Sequence, residues 1–145
     1  MMLEESVKVL TMQEEILQFS HFTNEDAWEL GSYMVEEAAR NDLPVAVSIR
    51  LNNGYTVFQY GFSGTNCCNE LRKENTVRMM EMSSLRLYML LKLKQETLED
   101  RGLNGKDYVA RGGAFPIRVE GVGVIGSVIV SGLDHMADHD FAVAC

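Results

Sequence analysis

The sequence predicts an α+β domain in which helices flank an antiparallel or mixed sheet, and three observations carry that prediction. The element order, α-α-β-β-α-β-β-α, lacks the regular strand–helix alternation of a doubly wound fold. Asn52-Asn53-Gly54 separates two extended runs, and Asn and Gly tolerate the positive φ of a tight hairpin turn. The run Val124 to Ser131 is apolar on both faces: Val124, Val128 and Val130 point one way, Ile125 and Ile129 the other. Such a strand must be covered twice, by helices or by a helix and a second subunit.

The elements follow in order. Leu3 to Leu17 carries Val7, Leu10, Ile16 and Leu17 among acids and reads as a helix. Thr23 caps a second helix, with Asp26 three residues on completing a capping box. Ala27, Leu30, Met34 and Ala38 then recur at helical spacing to Arg40. Val45 to Leu51 and Tyr55 to Phe62 form the hairpin, the second strand placing Tyr55, Val57, Gln59 and Gly61 opposite Thr56, Phe58, Tyr60 and Phe62. One long helix is expected from about Asn66 to Gln95, with a stripe of Met79, Met82, Leu85, Met89 and Leu93 beside another of Val77, Met80, Leu87 and Leu91. So broad an apolar surface predicts cover on two sides. Gly102, Asn104 and Gly105 break the connector, Ala114 to Glu120 is a strand, and Asp134 to Cys145 a terminal helix.

Composition narrows the function classes. A chain of 145 residues, 46% hydrophobic and 23% charged, is sized for one domain spanning 1–145 with its own core. Its charge of −8, from 13 basic and 21 acidic residues, argues against nucleic acid, whose phosphates need a basic surface. No run reaches the ~20 apolar residues of a membrane helix, and the start Met1-Met2-Leu3-Glu4-Glu5 is acidic where a signal peptide is basic. Three cysteines give no disulfide framework and suit a reducing compartment, so a cytoplasmic location is expected.

Four groups of residues can carry chemistry. His135 and His139 stand four apart and share a helix face, where they can hold a divalent metal with Asp134 or Asp138 as third ligand or orienting carboxylate. Gly112-Gly113 beside Arg111 and Arg118 presents backbone amides and two guanidinium forks to a small anionic ligand, and Arg72 and Lys73 join them if their helix starts nearby. Cys67-Cys68 falls at the expected N-terminus of the long helix, where the dipole lowers a thiol pKa; with no histidine base nearby in sequence, nucleophilic catalysis is not expected. A haem needs an axial ligand in a large apolar pocket, and spacing alone selects none of the histidines or methionines. The bland counterparts are a solvated helix start, a tight turn, incidental thiols and methionines in core or interface.

Three stretches carry a family resemblance: Leu17-Gln18-Phe19 with Asn24-Glu25-Asp26-Ala27-Trp28-Glu29-Leu30-Gly31; Gly112-Gly113-Ala114-Phe115-Pro116-Ile117-Arg118-Val119; and Gly123 to Leu133 followed by Asp138-His139. Together they resemble the short, uncharacterised branch of the haem-degrading-domain (GlcG-like) family. In place of an acidic stretch ending in Trp, which that branch tends to carry, the chain has Asn66-Cys67-Cys68-Asn69-Glu70. The resemblance implies a profilin-like sandwich with a central antiparallel sheet of about five strands, helices on both faces and homo-oligomeric assembly. It implies haem or corrinoid binding only through distant relatives. The expectation is a homo-oligomeric binding or assembly module without catalysis; the alternative is a tetrapyrrole or metal-binding protein with His139 as ligand and Gly112-Gly113 lining the pocket.

Overall fold

A computed structural model describes residues 2–61 and 67–145. The elements are α1 (Leu3–Ile16), α2 (Asn24–Arg40), β1 (Ala46–Leu51), β2 (Thr56–Tyr60), α3 (Cys67–Met80), α4 (Ser84–Lys94), a 3-10 turn (Glu99–Arg101), β3 (Ala114–Val119), β4 (Gly123–Ser131) and α5 (His135–Ala144). The expected end of the second strand at Phe62 and the helix start at Asn66 lie outside the described residues.

Local chemistry sets most boundaries. Thr23 and Asp26 form the capping box that starts α2: the Thr23 hydroxyl accepts from the Asp26 amide at 3.2 Å, and the Asp26 carboxylate accepts from the Thr23 amide at 2.7 Å. The hairpin turn closes as Asn53 Oδ1 accepts from the Tyr55 amide at 2.9 Å, with Gly54 at φ +91°. The expected long helix is two helices. Glu81 takes φ +54°, and the Ser83 hydroxyl caps α4 by accepting from the Arg86 amide at 3.1 Å. The two stripes accordingly have different destinations: Val77 of α3 packs on Ala114 and Ile129 of the sheet, Leu85 and Met89 of α4 pack on Leu10 of α1, and Leu87 and Leu91 pack on Leu103.

Among the described residues the sheet is antiparallel with strand order β2-β1-β4-β3, four strands where about five were expected. Beyond these strands, one isolated parallel bridge joins Phe19 to Val119 of β3. There Phe19 donates to the Arg118 carbonyl and the Glu120 amide donates to Phe19, both at 2.8 Å, which blunts the β3 edge. Helices α2 and α5 cover one face, over Val47, Ile49, Ile117, Val128 and Val130, and α3 covers the other.

β4 is indeed buried from both sides, with Ile129 and Val130 each 0% exposed. Strict alternation fails at one end, however. The register of β3 on β4 steps from Ile117↔Gly126 to Arg118↔Val124, leaving Ile125 as an extra residue. A bulge of this kind reverses the facing of everything beyond it. Val124 therefore joins Ile129 beneath α3, and Ile125 joins Val128 beneath α2, the reverse of the alternation expectation. A second bulge, between Ile49↔Phe58 and Arg50↔Thr56, does the same to β2, so Val57 and Phe58 both pack toward α2.

The α2 layer depends on one close approach. A Cβ built on Gly31 would lie within 2.4–2.6 Å of three ring atoms of Phe58, so the ring rests directly on the helix backbone. Gly31→Ala is expected to cost about 1–3 kcal/mol through overpacking, despite the better helix propensity of Ala. Chemical denaturation of Gly31→Ala, Phe58→Leu and the pair checks this: the double variant should lose less than the sum of the singles.

Candidate functional site

β3 begins where three elements converge. Gly112 and Gly113 enter the strand between the first turns of α5 and the middle of α3. A Cβ on Gly112 would run into the His135 carbonyl oxygen; one on Gly113, at φ +129°, would fall 2.7 Å from Lys73 Nζ. Glycine is needed at both positions, at Gly112 for contact and at Gly113 for contact and φ together.

α5 presents its polar side chains to this crossing. Asp134 caps it, its Oδ1 accepting from the Met136 and Ala137 amides at 3.1 and 3.0 Å. Asp138 is buried; its Oδ1 accepts from the Leu133 amide at 2.9 Å, and its Oδ2 lies 3.6 Å from Lys73 Nζ. Lys73, also buried, donates to the Val130 carbonyl at 3.4 Å. Burial raises the Asp138 pKa, opposed by the Leu133 amide and the Lys73 charge.

The two imidazoles share the helix but not a ligand. His135 Nδ1 accepts from the Gly112 amide at 3.2 Å, and its ring meets Tyr88 edge-on at 4.8 Å between centroids. Burial, and then the Arg111 charge, lower its pKa. His139 is 1% exposed; its Nε2 lies 3.0 Å from Gln13 Oε1 of α1, and burial drops its pKa to about 4. Among the described residues no three or more His, Cys, Asp or Glu side chains are placed to hold a metal ion. His135, Asp138 and His139 thus go to three separate partners, because Gly112 ahead of β3, Lys73 of α3 and Gln13 of α1 each take one of them.

The expected anion set is only partly assembled. Gly112, Gly113 and Lys73 meet. Arg72 instead donates to the carbonyls of Gly105 and Tyr108 at 2.8 and 3.4 Å, tying down the connector. Arg118 donates to the Glu81 carbonyl at 2.9 Å and lies 4.0 Å from Glu14 Oε1. Cys67 and Cys68 open α3, and their thiols lie outside the described side chains.

Two features escaped the sequence reading. Glu14, one of the acids of the first helix, is 2% exposed; it accepts from the Ser83 amide at 3.1 Å and from Arg86 Nη1 at 3.2 Å, and burial raises its pKa. Gln13, beside it, is the partner of His139. A groove of about 160 Å³ runs between α1, α4 and α5, with Leu10, Gln13, Leu85, Met89, Met136 and His139 on its walls. A second, apolar cavity of about 250 Å³ lies against β3 and is lined by Phe19, Leu30, Phe115, Ile117, Val143 and Cys145 among others.

An antiparallel sheet with helices on both faces, entered through a glycine pair clasped by a buried lysine–aspartate pair, defines an α+β sandwich. The chain belongs to the family described as haem degrading protein HbpS-like, whose profile matches residues 22–145. It is 40% identical to a UPF0303 protein of Serratia proteamaculans, over 99% of this chain and 91% of the relative. It is 38% identical to another from Yersinia enterocolitica, over 97% and 85%. Among solved structures, that of Ybr137w superposes with a TM-score of 0.83 at 30% identity, over 94% of this chain and 83% of the other. HbpS and a PduOC:heme complex each superpose at 0.66 with 23% identity, covering 88% and 85% of this chain and 89% and 93% of theirs, a likeness of fold.

The His139 environment carries a pH dependence. The folded chain keeps this imidazole neutral down to about pH 4, while the unfolded chain takes up its proton near 6.5. Between those values the unfolded state binds more protons, so the His139 contribution to stability is present above the window and is lost as pH falls through it. Glu14 and Asp138, with raised pKa values, act in the opposite sense and gain on acidification. The test is therefore a difference. As pH falls from 6.5 to 4, the stability of metal-free wild type relative to His139→Gln should decline, by at most about 1.4 kcal/mol per pH unit, in urea titrations at successive pH values.

Proposed function

We propose that this chain is a binding module that works as a homo-oligomer and carries no catalysis of its own. The observation behind this reading is an aromatic surface at the open end of the sheet. β2 is an edge strand with no strand paired beyond it among the described residues, and Trp28, Tyr55 and Tyr60 beside it are 66%, 68% and 52% exposed. Trp28 stands edge-on to Phe58 at 5.9 Å. Exposed aromatics next to an unpaired strand edge are the composition of an interface core, and leaving them in water is a liability for a lone subunit. The titratable groups of the α5 crossing are held in structural bonds, with no nucleophile and base paired among the described residues. Light scattering behind gel filtration should give a multiple of the 16.3 kDa subunit mass, and Trp28→Ser with Tyr60→Lys should reduce that multiple. A wild type that stays monomeric at micromolar concentration would overturn the reading.

A second reading, tetrapyrrole binding, is favoured by the fold likeness to the PduOC:heme complex and by a buried His139 Nδ1 with no hydrogen-bond partner among the described residues. Size limits it. Pockets for organic ligands run to roughly 300–1,000 Å³, whereas the groove beside His139 measures about 160 Å³. A macrocycle does not fit there within one subunit and would have to lie between copies. In a haemin titration, a Soret shift lost in His139→Ala supports this reading; an equal response from both proteins removes His139 from it.

A further inference from the structure

The groove between α1, α4 and α5 brings together three soft or borderline donors, two from one turn of α5 and one from the distant α4. Met89 comes from α4, and Met136 and His139 from α5; all three line the same groove. They are graded by depth. Met136 is 47% exposed at the mouth, Met89 9% exposed, and His139 1% exposed at the floor. Leu10 and Leu85 keep the interior apolar, and Asp140 adds one negative charge. Gln13 offers its amide oxygen to Nε2 at 3.0 Å, which places the ring proton on that nitrogen and leaves Nδ1 with its lone pair, buried and without a hydrogen-bond partner among the described residues.

We propose that the His139 imidazole and the Met89 and Met136 thioethers form a site for one cuprous ion. Thioether and imidazole are the donors that select a soft monovalent cation; zinc favours thiolate, imidazole and carboxylate together, and calcium and magnesium favour oxygen. The groove volume of about 160 Å³ suits an ion where it does not suit a macrocycle. The inference shares with the tetrapyrrole reading only the premise that His139 binds a ligand; it replaces His135 and Asp138, which are bonded elsewhere, with the two methionines.

The test uses the full chain with Cys67→Ser, Cys68→Ser and Cys145→Ser, since free thiols bind cuprous ion on their own. Cuprous ion is titrated anaerobically against bicinchoninate, a coloured cuprous chelator, with zinc as the comparison metal. The expected result is one equivalent withdrawn from the chelator and no comparable uptake of zinc. Met136→Leu and Met89→Leu preserve volume and hydrophobicity, and thermal melts verify their folding. Each should weaken binding by more than the ~10–100-fold that loss of an outer hydrogen-bond partner costs a metal site. A chelator that keeps all its copper, or leucine variants that bind as tightly as their parent, overturns the site. Haemin titrations of the same proteins separate the readings: copper binding without a Soret shift removes only the tetrapyrrole reading, and a Soret shift indifferent to Met136→Leu in a protein that takes no copper removes only the copper site.

Discussion

Everything in this fold is arranged around β4, a strand whose two surfaces both face dry layers. A single helical layer cannot satisfy such a strand. The chain meets the demand by sending α2 and α5 to one side and α3 to the other, and by carrying the polypeptide across the sheet between β2 and β3 through α3, α4 and the connector. The order of the elements is a consequence of that double cover.

The two layers differ in chemistry. Under α2 the contacts are hydrocarbon: Ala27, Met34 and Ala38 on Val47, Ile49, Val128 and Val130. Under α3 the sheet offers Ser48, Ser127 and Arg50, and the helix answers with Lys73, Glu74 and Thr76, all buried or nearly so. Burying such groups is expensive unless each finds a partner. Several do: Glu74 pairs with Arg50, Lys73 with Asp138, and Thr76 exchanges hydrogen bonds with the backbone of Val109. A polar layer fixes one orientation of α3 through bond geometry, where an oily one would tolerate sliding. Because Lys73 belongs to that layer, the α5 crossing inherits the same fixed geometry.

How much of this was legible in the sequence depended on how local its cause was. The Thr23–Asp26 capping box, the Asn53-Gly54 turn and the two-sided β4 each arise from residues within a few positions of one another, and each was readable. The bulges at Ile125 and Val57 were not, because a bulge exists only relative to the register of a partner strand. The break at Glu81–Ser83 escaped because hydrophobic stripes continue through it; the local clue was Ser83, a capping residue set inside an apparent helix. The site was the least readable part. The ring of His139 answers to Gln13, 126 residues away, and Glu14 answers to Ser83 and Arg86, 69 and 72 residues away. No spacing rule reaches across such separations.

The fate of the His135–His139 pair shows why helical spacing is a weak guide to a metal set. A helix places residues four apart on one face, but in a thin sandwich that face is wide enough to meet different neighbours. At the start of α5 the glycine entry of β3 comes close enough for the Gly112 amide to claim His135, while one turn later α1 claims His139. Each hydrogen bond satisfies a polar atom that burial would otherwise strand, so the protein matrix outcompetes a metal for the pair as a unit. What remains for binding is whatever the matrix leaves unsatisfied, and among the buried side-chain atoms of α5 the one without a hydrogen-bond partner among the described residues is the second nitrogen of His139. The chemistry of this surface is therefore set by the tertiary contacts that consume donors and acceptors, and only secondarily by the motif that supplied them.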